Sequence, residues 1–248
     1  MNEITITKPT TLKQKIGAWL IPKLPISRHV FNHFRLELKT WRLRTLSHFH
    51  PGVKFKIKQL RQQNNLLVNI GCGPFGQENW VNLDLHPHPN VTLAIDTRRK
   101  LPFVDNSCLG IHVEHFLEHL EPNDERTPFL QECRRCLQDN GVLRIIVPDI
   151  ELYIKAYLQP GWEALNKIGC GGEKPSDLFS SKMDVLNHVF LQEWEHYVGY
   201  DAENLEIVLR EAGFTKVTHC DWRTGNFPGG CIDREQHRSY SLYFEAKV

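Results

Sequence analysis

Long apolar runs are what this 248-residue chain most plainly lacks. The longest near its start, from Ile16 to Ile21, stops at Pro22, far short of the roughly 20 residues that a membrane-spanning helix needs. No small-residue cleavage site follows it, so the stretch does not read as a secretion signal. Acidic residues are scarce at the front: residues 1–61 hold only Glu3 and Glu37 against thirteen Lys and Arg. Internal repeats and low-complexity tracts are absent as well. Cysteine is present seven times, and without an export signal these read as reduced thiols, not as a disulfide framework. A cytoplasmic location is expected.

What is present suits a folded chain. Hydrophobic residues make up 41% and charged residues 24%, enough for a sizeable core and unlike disordered, collagen or coiled-coil sequences. The net charge of +1 conceals a split, because residues 1–61 carry an excess of eleven positive charges and the rest an acidic balance. A basic arm on an acidic body points to an anionic partner, a membrane surface or an RNA, or to an arm that folds back on its own body. Apolar residues recur at helical spacing over 11–20 and 28–49, with Val30, Phe34, Leu38, Trp41, Leu43 and Leu46 in the second stretch, and Pro22 and Pro25 separate the two. Basic helices carrying Trp19, Phe31, Phe34 and Trp41 suit a peripheral position at a membrane. The expected division is a basic helical extension over 1–61 and one domain over 62–248.

From Leu66 onward the pattern changes. Strand-like runs at 66–70, 81–85, 91–95, 109–113 and 142–147 alternate with helical segments, the signature of a parallel α/β sheet. Helices are expected at 125–138, closed by Asn140-Gly141, and at 150–158, 184–197 and 201–212, the last closed by Gly213. Residues 159–182 read as an irregular cover. Two final strands are expected at 216–222 and 240–247, with Pro228-Gly229-Gly230 between them.

Gly71-Cys72-Gly73-Pro74-Phe75-Gly76 follows the first strand and matches G-x-G-x-x-G. Such a turn lets backbone approach a nucleotide closely. A dinucleotide fold, however, needs a helix after the loop and an acid about 20 residues on. Here the next strand starts at Val81, and Asp84 ends it thirteen positions after Gly71. That spacing disfavours NAD.

The runs LLVNIGCGPFGQENWVNLDL, IDTRRKLPFVDNSC, VEHFLEHL, FLQECRRCLQDNGVLRIIVPD and YDAENLEIVLREAGF, in this order, resemble the class I S-adenosylmethionine-dependent methyltransferases. The similarity is greatest to the small methyltransferase group with GCG, a short loop and N-x-D, and it covers residues 65 to 248. It implies a Rossmann-like seven-stranded sheet, mostly parallel with an antiparallel last strand, and S-adenosylmethionine as cofactor. It further implies that Gly71, Cys72 and Gly73 meet the methionyl part of the cofactor. Asp84, with Leu85 beside it, would take the ribose hydroxyls, a task suited to a carboxylate with acceptors for two neighbouring donors. Asp96 and Thr97 would lie near the adenine, and Glu114 and His115 at the carboxyl ends of the sheet, where open α/β sheets bind ligands. Three positions depart from the pattern. Asn69 stands where an acid is usual, Cys108-Leu109 replaces a phenylalanine–aspartate pair, and residues 77–80 leave no room for the usual first helix.

Methyl transfer is an in-line displacement, and a base is needed only when the acceptor must lose a proton. His115, with Glu114 beside it, is the candidate base, because an ordinary imidazole titrates near neutrality. His115 and His119 also share an i, i+4 spacing that suits a metal with His112 or Glu118. The resembling proteins carry their EH-x-x-EH segment without one, so no metal is expected. Cys133 and Cys136 form a single CxxC, better suited to core packing than to zinc. Asp149 is expected to line an acceptor pocket or to cap the next helix, and His188 and His196 to touch the acceptor. Arg234, His237 and Arg238 either bind an anionic acceptor or pair with the acidic body. The leading expectation is methyl transfer to an oxygen or nitrogen of a small-molecule or glycan-like acceptor. Its rivals are an RNA methyltransferase that uses the basic arm and a non-catalytic protein that binds the cofactor or a membrane.

Overall fold

The computed structural model describes residue 23 and residues 25–248. The helix expected at 11–20, with Trp19, lies outside them. Two helices open the described chain, α1 (Arg28–Phe49) and α2 (Pro51–Leu60). Beyond the helical spacing expected over 28–49, Pro51 continues the arm as the first residue of α2, a position where its missing N–H costs nothing. No described helix is long and apolar enough to cross a membrane.

Among the described residues, seven strands form one sheet in the order β3-β2-β1-β4-β5-β7-β6. They are β1 (Leu66–Ile70), β2 (Val81–Asp84), β3 (Leu93–Ala94), β4 (Cys108–Glu114), β5 (Leu137–Pro148), β6 (Lys216–Cys220) and β7 (Ser241–Lys247). The first five run parallel, and β7 pairs antiparallel with both β5 and β6. Val68, Ile70, Leu83, Ile111, Val113, Ile145 and Val147 are buried, as expected for strands covered on both faces. Edge strand β6 has only exposed and half-buried residues instead. The chain moves outward from β1 to β2 and β3 and then returns to β4 on the other side of β1. The carboxyl ends of β1 and β4 therefore flank the switch point, where such sheets form their ligand crevice.

Several boundaries differ from the sequence expectation. The helix expected at 125–138 is α3 (Thr127–Cys136), preceded by a wide turn over Pro122–Arg126. Asn140-Gly141 does not cap it. Leu137 enters β5 directly, and the register jumps from Cys108↔Leu137 to Gly110↔Val142, so residues 138–141 bulge out of the strand. A Cβ on Gly141 would sit 3.0 Å from the carbonyl oxygens of Cys108 and Gln138, which explains a glycine without any cap. The segment 159–182 is not wholly irregular, since it contains α5 (Glu163–Ile168) and α6 (Pro175–Leu178), tied by paired hydrogen bonds between Asn166 and Ser176.

Helix α4 (Ile150–Leu158) and helix α7 (Lys182–Leu191) complete this cover. Helix α7 ends six residues earlier than expected, where Gln192 turns left-handed. Ile150, Tyr153, Leu165, Ile168, Val185, Val189 and Tyr240 form its own small core, separate from the main one. Helix α8 (Ala202–Glu211) is capped by Asp201 and stops before Gly213, whose φ of +96° ends the helix as the sequence suggests.

The described part of the basic arm lies against the body. Leu60 is buried in the main core with Val53 and Ile57 packed on it, and Lys56 donates to the Thr92 carbonyl. Arg44 pairs with Asp96, and Glu37 with Arg98.

Candidate active site

At the end of β1 the chain turns through Gly71 and Gly73, at φ +68° and +53°. A Cβ on Gly71 would lie 2.9 Å from the Phe116 ring, so this glycine is needed for close packing. A Cβ on Gly73 would meet nothing within 4 Å, so the turn faces open space there. Gly73 donates its N–H to Asp84 Oδ2 at 2.8 Å, and Asp84 Oδ1 accepts the His86 N–H at 2.6 Å. The turn and the carboxylate are thus locked together across the tips of β1 and β2. Each Asp84 oxygen keeps a further lone pair for a ligand hydroxyl. Leu85 follows directly, half-buried.

The rest of the glycine motif is structural. A Cβ on Gly76 would lie 2.7 Å from the Asn90 carbonyl, and Asn82 holds both the amide and the carbonyl of Gln77. No helix intervenes between β1 and β2. Asn69 shares a 3.3 Å hydrogen bond with His112 Nδ1. The Cys72 thiol is pushed up to about 11 by burial and by nearby Asp84, so it stays protonated at neutral pH.

Asp96, after β3, is nearly enclosed. It accepts from Arg44 Nε at 2.8 Å, from Arg98 Nε at 3.0 Å and from the Arg98 amide. Arg98 also reaches Glu37 and Glu125. Burial works against the Asp96 carboxylate, but Arg98 and Arg44 outweigh it and hold the group below the usual carboxylate range. Thr97 is buried beside it.

A third group gathers beyond β4. Glu114 Oε1 accepts from the Arg234 amide at 3.0 Å and from the His237 ring at 2.8 Å, and Oε2 lies 3.0 Å from Arg234 Nε. Burial would raise this carboxyl, yet the His237 hydrogen bond and the Arg234 charge keep it ionised. His115 adopts a left-handed φ of +52° and stacks on His237 with ring centroids 3.8 Å apart. Its Nε2 is 2.8 Å from Ser241 Oγ, and its Nδ1 is 3.5 Å from Glu118 Oε1. Burial, with His237 and Arg234 nearby, drives His115 well below the ordinary imidazole range, so the ring is neutral at pH 7. Burial lifts Glu118 to about 8.

The expected acceptor residues divide. His196 packs edge-on against His119 at 4.7 Å, which joins it to the β4 group through Glu118. Asp149 caps α4 by accepting the Leu152 N–H at 3.1 Å, and burial raises its carboxyl. His188 rests on Phe179.

Sequence reasoning missed a buried charge cluster behind the site. Arg144 is fully buried and forks onto Asp233, with Glu245 at 3.2 Å and Asp233 in turn 3.5 Å from His112 Nε2. One signal was available, a lone arginine inside the apolar run of β5.

Residues 76–145 match the sequence family described as a methyltransferase domain. No curated protein matches the chain. Among solved structures the chain is similar to a SAM-dependent methyltransferase from Archaeoglobus fulgidus, at 16% identity and a TM-score of 0.43, over 86% of this chain and 94% of that one. It is also similar to the 1,6-didemethyltoxoflavin-N1-methyltransferase of Burkholderia thailandensis with bound S-adenosylhomocysteine, at 13% identity and a TM-score of 0.44, over 90% and 92% of the two chains.

Proposed function

We propose that this chain is a class I S-adenosylmethionine-dependent methyltransferase, supported by the methyltransferase-domain match over residues 76–145 and by the strand order, and that it methylates an oxygen or nitrogen of a small-molecule or glycan-like acceptor. The observation that carries the reading is the pairing of Gly73 N–H with Asp84 at the sheet's switch point. That pairing presents an open backbone turn and a carboxylate with spare acceptors to one ligand. When bound, the cofactor supplies a methyl group on a positively charged sulfur.

Gly71, Cys72 and Gly73 would face the methionyl part, and Asp84 the ribose, with Leu85 beside it. Asp96, assigned to the adenine end in this reading, is held by Arg44 of the arm's own helix and by Arg98. His115, kept neutral by burial, offers a lone pair at the end of β4. Ser241 and Glu118 flank its two nitrogens and orient the ring, so an acceptor proton would reach His115 only in place of one of these contacts. Glu114 is saturated by Arg234 and His237, which makes it the anchor that sets this geometry, not the proton acceptor.

Calorimetric titration of S-adenosylmethionine and S-adenosylhomocysteine tests the reading, with Asp84→Ala in parallel. Micromolar binding that the variant loses supports it. Equal binding by both proteins, or none by the native chain, refutes it.

A groove of about 1000 Å³ between the arm and the body favours one further reading. Arg44, Lys54, Lys58, Arg61, Arg99 and Lys100 line it, and Phe49 and Phe55 stand 77% and 61% exposed at its edge. Cations interleaved with exposed aromatics suit an anionic membrane surface, with the enzyme bound peripherally. Flotation with anionic and with neutral liposomes tests this. Retention of bulk RNA without liposome binding would favour an RNA acceptor instead.

A further inference from the structure

Three potential metal ligands converge beside the β4 group. Glu118 is 1% exposed, and neither carboxylate oxygen has a hydrogen-bond partner. His196 is 8% exposed, and its Nε2 is likewise unpartnered. His119 is half-buried. One ligand atom from each of the three lies within 4.8 Å of the others.

The two imidazoles are oriented from behind. His119 Nδ1 is 3.0 Å from the Glu195 carbonyl oxygen, and His196 Nδ1 is 2.8 Å from that of Val189. A carbonyl only accepts, so each Nδ1 carries the proton, and each Nε2 is left with a bare lone pair. Carbonyl-oriented imidazoles of this kind are the usual support of metal-binding histidines. The backbone holds the same arrangement, because the Tyr197 N–H donates to the Glu118 carbonyl at 2.9 Å and stitches the 192–197 loop to the turn at Leu117–His119. Arg234 is spent on Glu114, and His115 Nδ1 stands 3.5 Å from Glu118 Oε1.

A divalent cation between the two imidazole lone pairs and the buried, unpartnered carboxyl group would give all three a partner, the carboxyl proton leaving as the metal binds. We infer that Glu118, His119 and His196 form a mononuclear site for a divalent transition metal of the zinc class. Two nitrogens and one oxygen are the donor set of zinc sites that keep one position open, and half-buried His119 leaves that position toward solvent. A tetrahedral ion with bonds of about 2.1 Å wants its ligands about 3.4 Å apart, so small side-chain rotations from the observed spacing complete the site. The i, i+4 pairing visible in the sequence is not the one used. His115 turns away onto His237 and Ser241, and His196, 77 positions beyond His119, takes its place.

The test uses the full chain, stripped with a chelator and dialysed, in equilibrium with zinc chloride and, separately, with cobalt chloride. The expected results are one zinc per chain and a thermal midpoint raised by binding. Cobalt should give the visible bands of a tetrahedral nitrogen and oxygen set, with no thiolate-to-metal band. His119→Ala should lose zinc affinity by at least about a hundredfold, more than removing a supporting hydrogen bond costs. The variant should keep its circular dichroism and its binding of S-adenosylmethionine. Zinc uptake unchanged in the variant, a thiolate band with cobalt, or no saturable uptake by the native chain would each overturn the assignment.

Discussion

Arg44 Nε lies 2.8 Å from Asp96 Oδ2, and this pair joins the basic arm to the carboxyl end of the sheet across 52 residues of sequence. The Asp96 side chain is only 2% exposed, against 34% for Arg44. The arm's charge therefore serves the fold at one point at least, while the groove lined by Lys54, Lys58 and Arg61 leaves other cations facing outward.

Arg44→Ala should destabilise the protein by about 1–2 kcal/mol, since Asp96 loses one cation but keeps Arg98. Urea unfolding should show the loss, and Arg44→Lys should recover only part of it because the fork is gone. No change in midpoint would mean that the pair contributes nothing.

The two glycines of the turn should respond differently. Gly71→Ala meets both a left-handed backbone and the Phe116 ring, and is expected to cost about 2–4 kcal/mol. Gly73→Ala meets only the backbone strain, about 1–2 kcal/mol, but points its methyl into the open side of the turn. Thermal melts should rank Gly71→Ala as the less stable, and calorimetry should show Gly73→Ala binding cofactor poorly while still folded. The reverse ranking would refute this division of roles.

Arg144→Ala should cost about 3–5 kcal/mol, because it strands Asp233 without its cation in a sealed interior. Joint replacement by Arg144→Met and Asp233→Asn should cost clearly less. A double-mutant cycle by chemical denaturation measures the coupling, and additive losses would show that the two side chains act independently.

The pH dependence of the metal-free protein follows from Glu118. Burial raises its folded value to about 8, above the unfolded carboxyl value, so the folded state favours the protonated form. Its stability contribution is complete below an unfolded value of about 4.5 and drains away as pH rises toward 8. Glu118→Gln should therefore match the native chain at pH 4.5 and exceed it by about 2–4 kcal/mol above pH 8. His196 acts on the other side. Burial and His119 lower it to about 4, so stability is lost as pH falls from about 6.5 through 4. Melting curves of both proteins across pH 4–9, in chelator, give the difference directly. A flat difference would show that Glu118 does not titrate in this range.

The α/β class, the strand sequence and the glycine turn were legible because they depend on local patterning. Buried parallel strands need continuous apolar runs, a left-handed turn needs glycine, and an acid ends β2. Helix ends were less legible, since Asn140-Gly141 carries the same local signature in a cap and in the bulge of β5. The sequence also marked His115, Glu118 and His119 as a group rich in chemistry. It could not say that Glu114 is spent on Arg234 and His237, 120 and 123 positions away, or that His196 and not His115 faces His119. Spacing along the chain reports which residues share a strand or a helix face. Partners brought together by the sheet's return crossover and by the closing loops leave no periodicity behind, and burial, which decides the charge state of each, exists only once they have met.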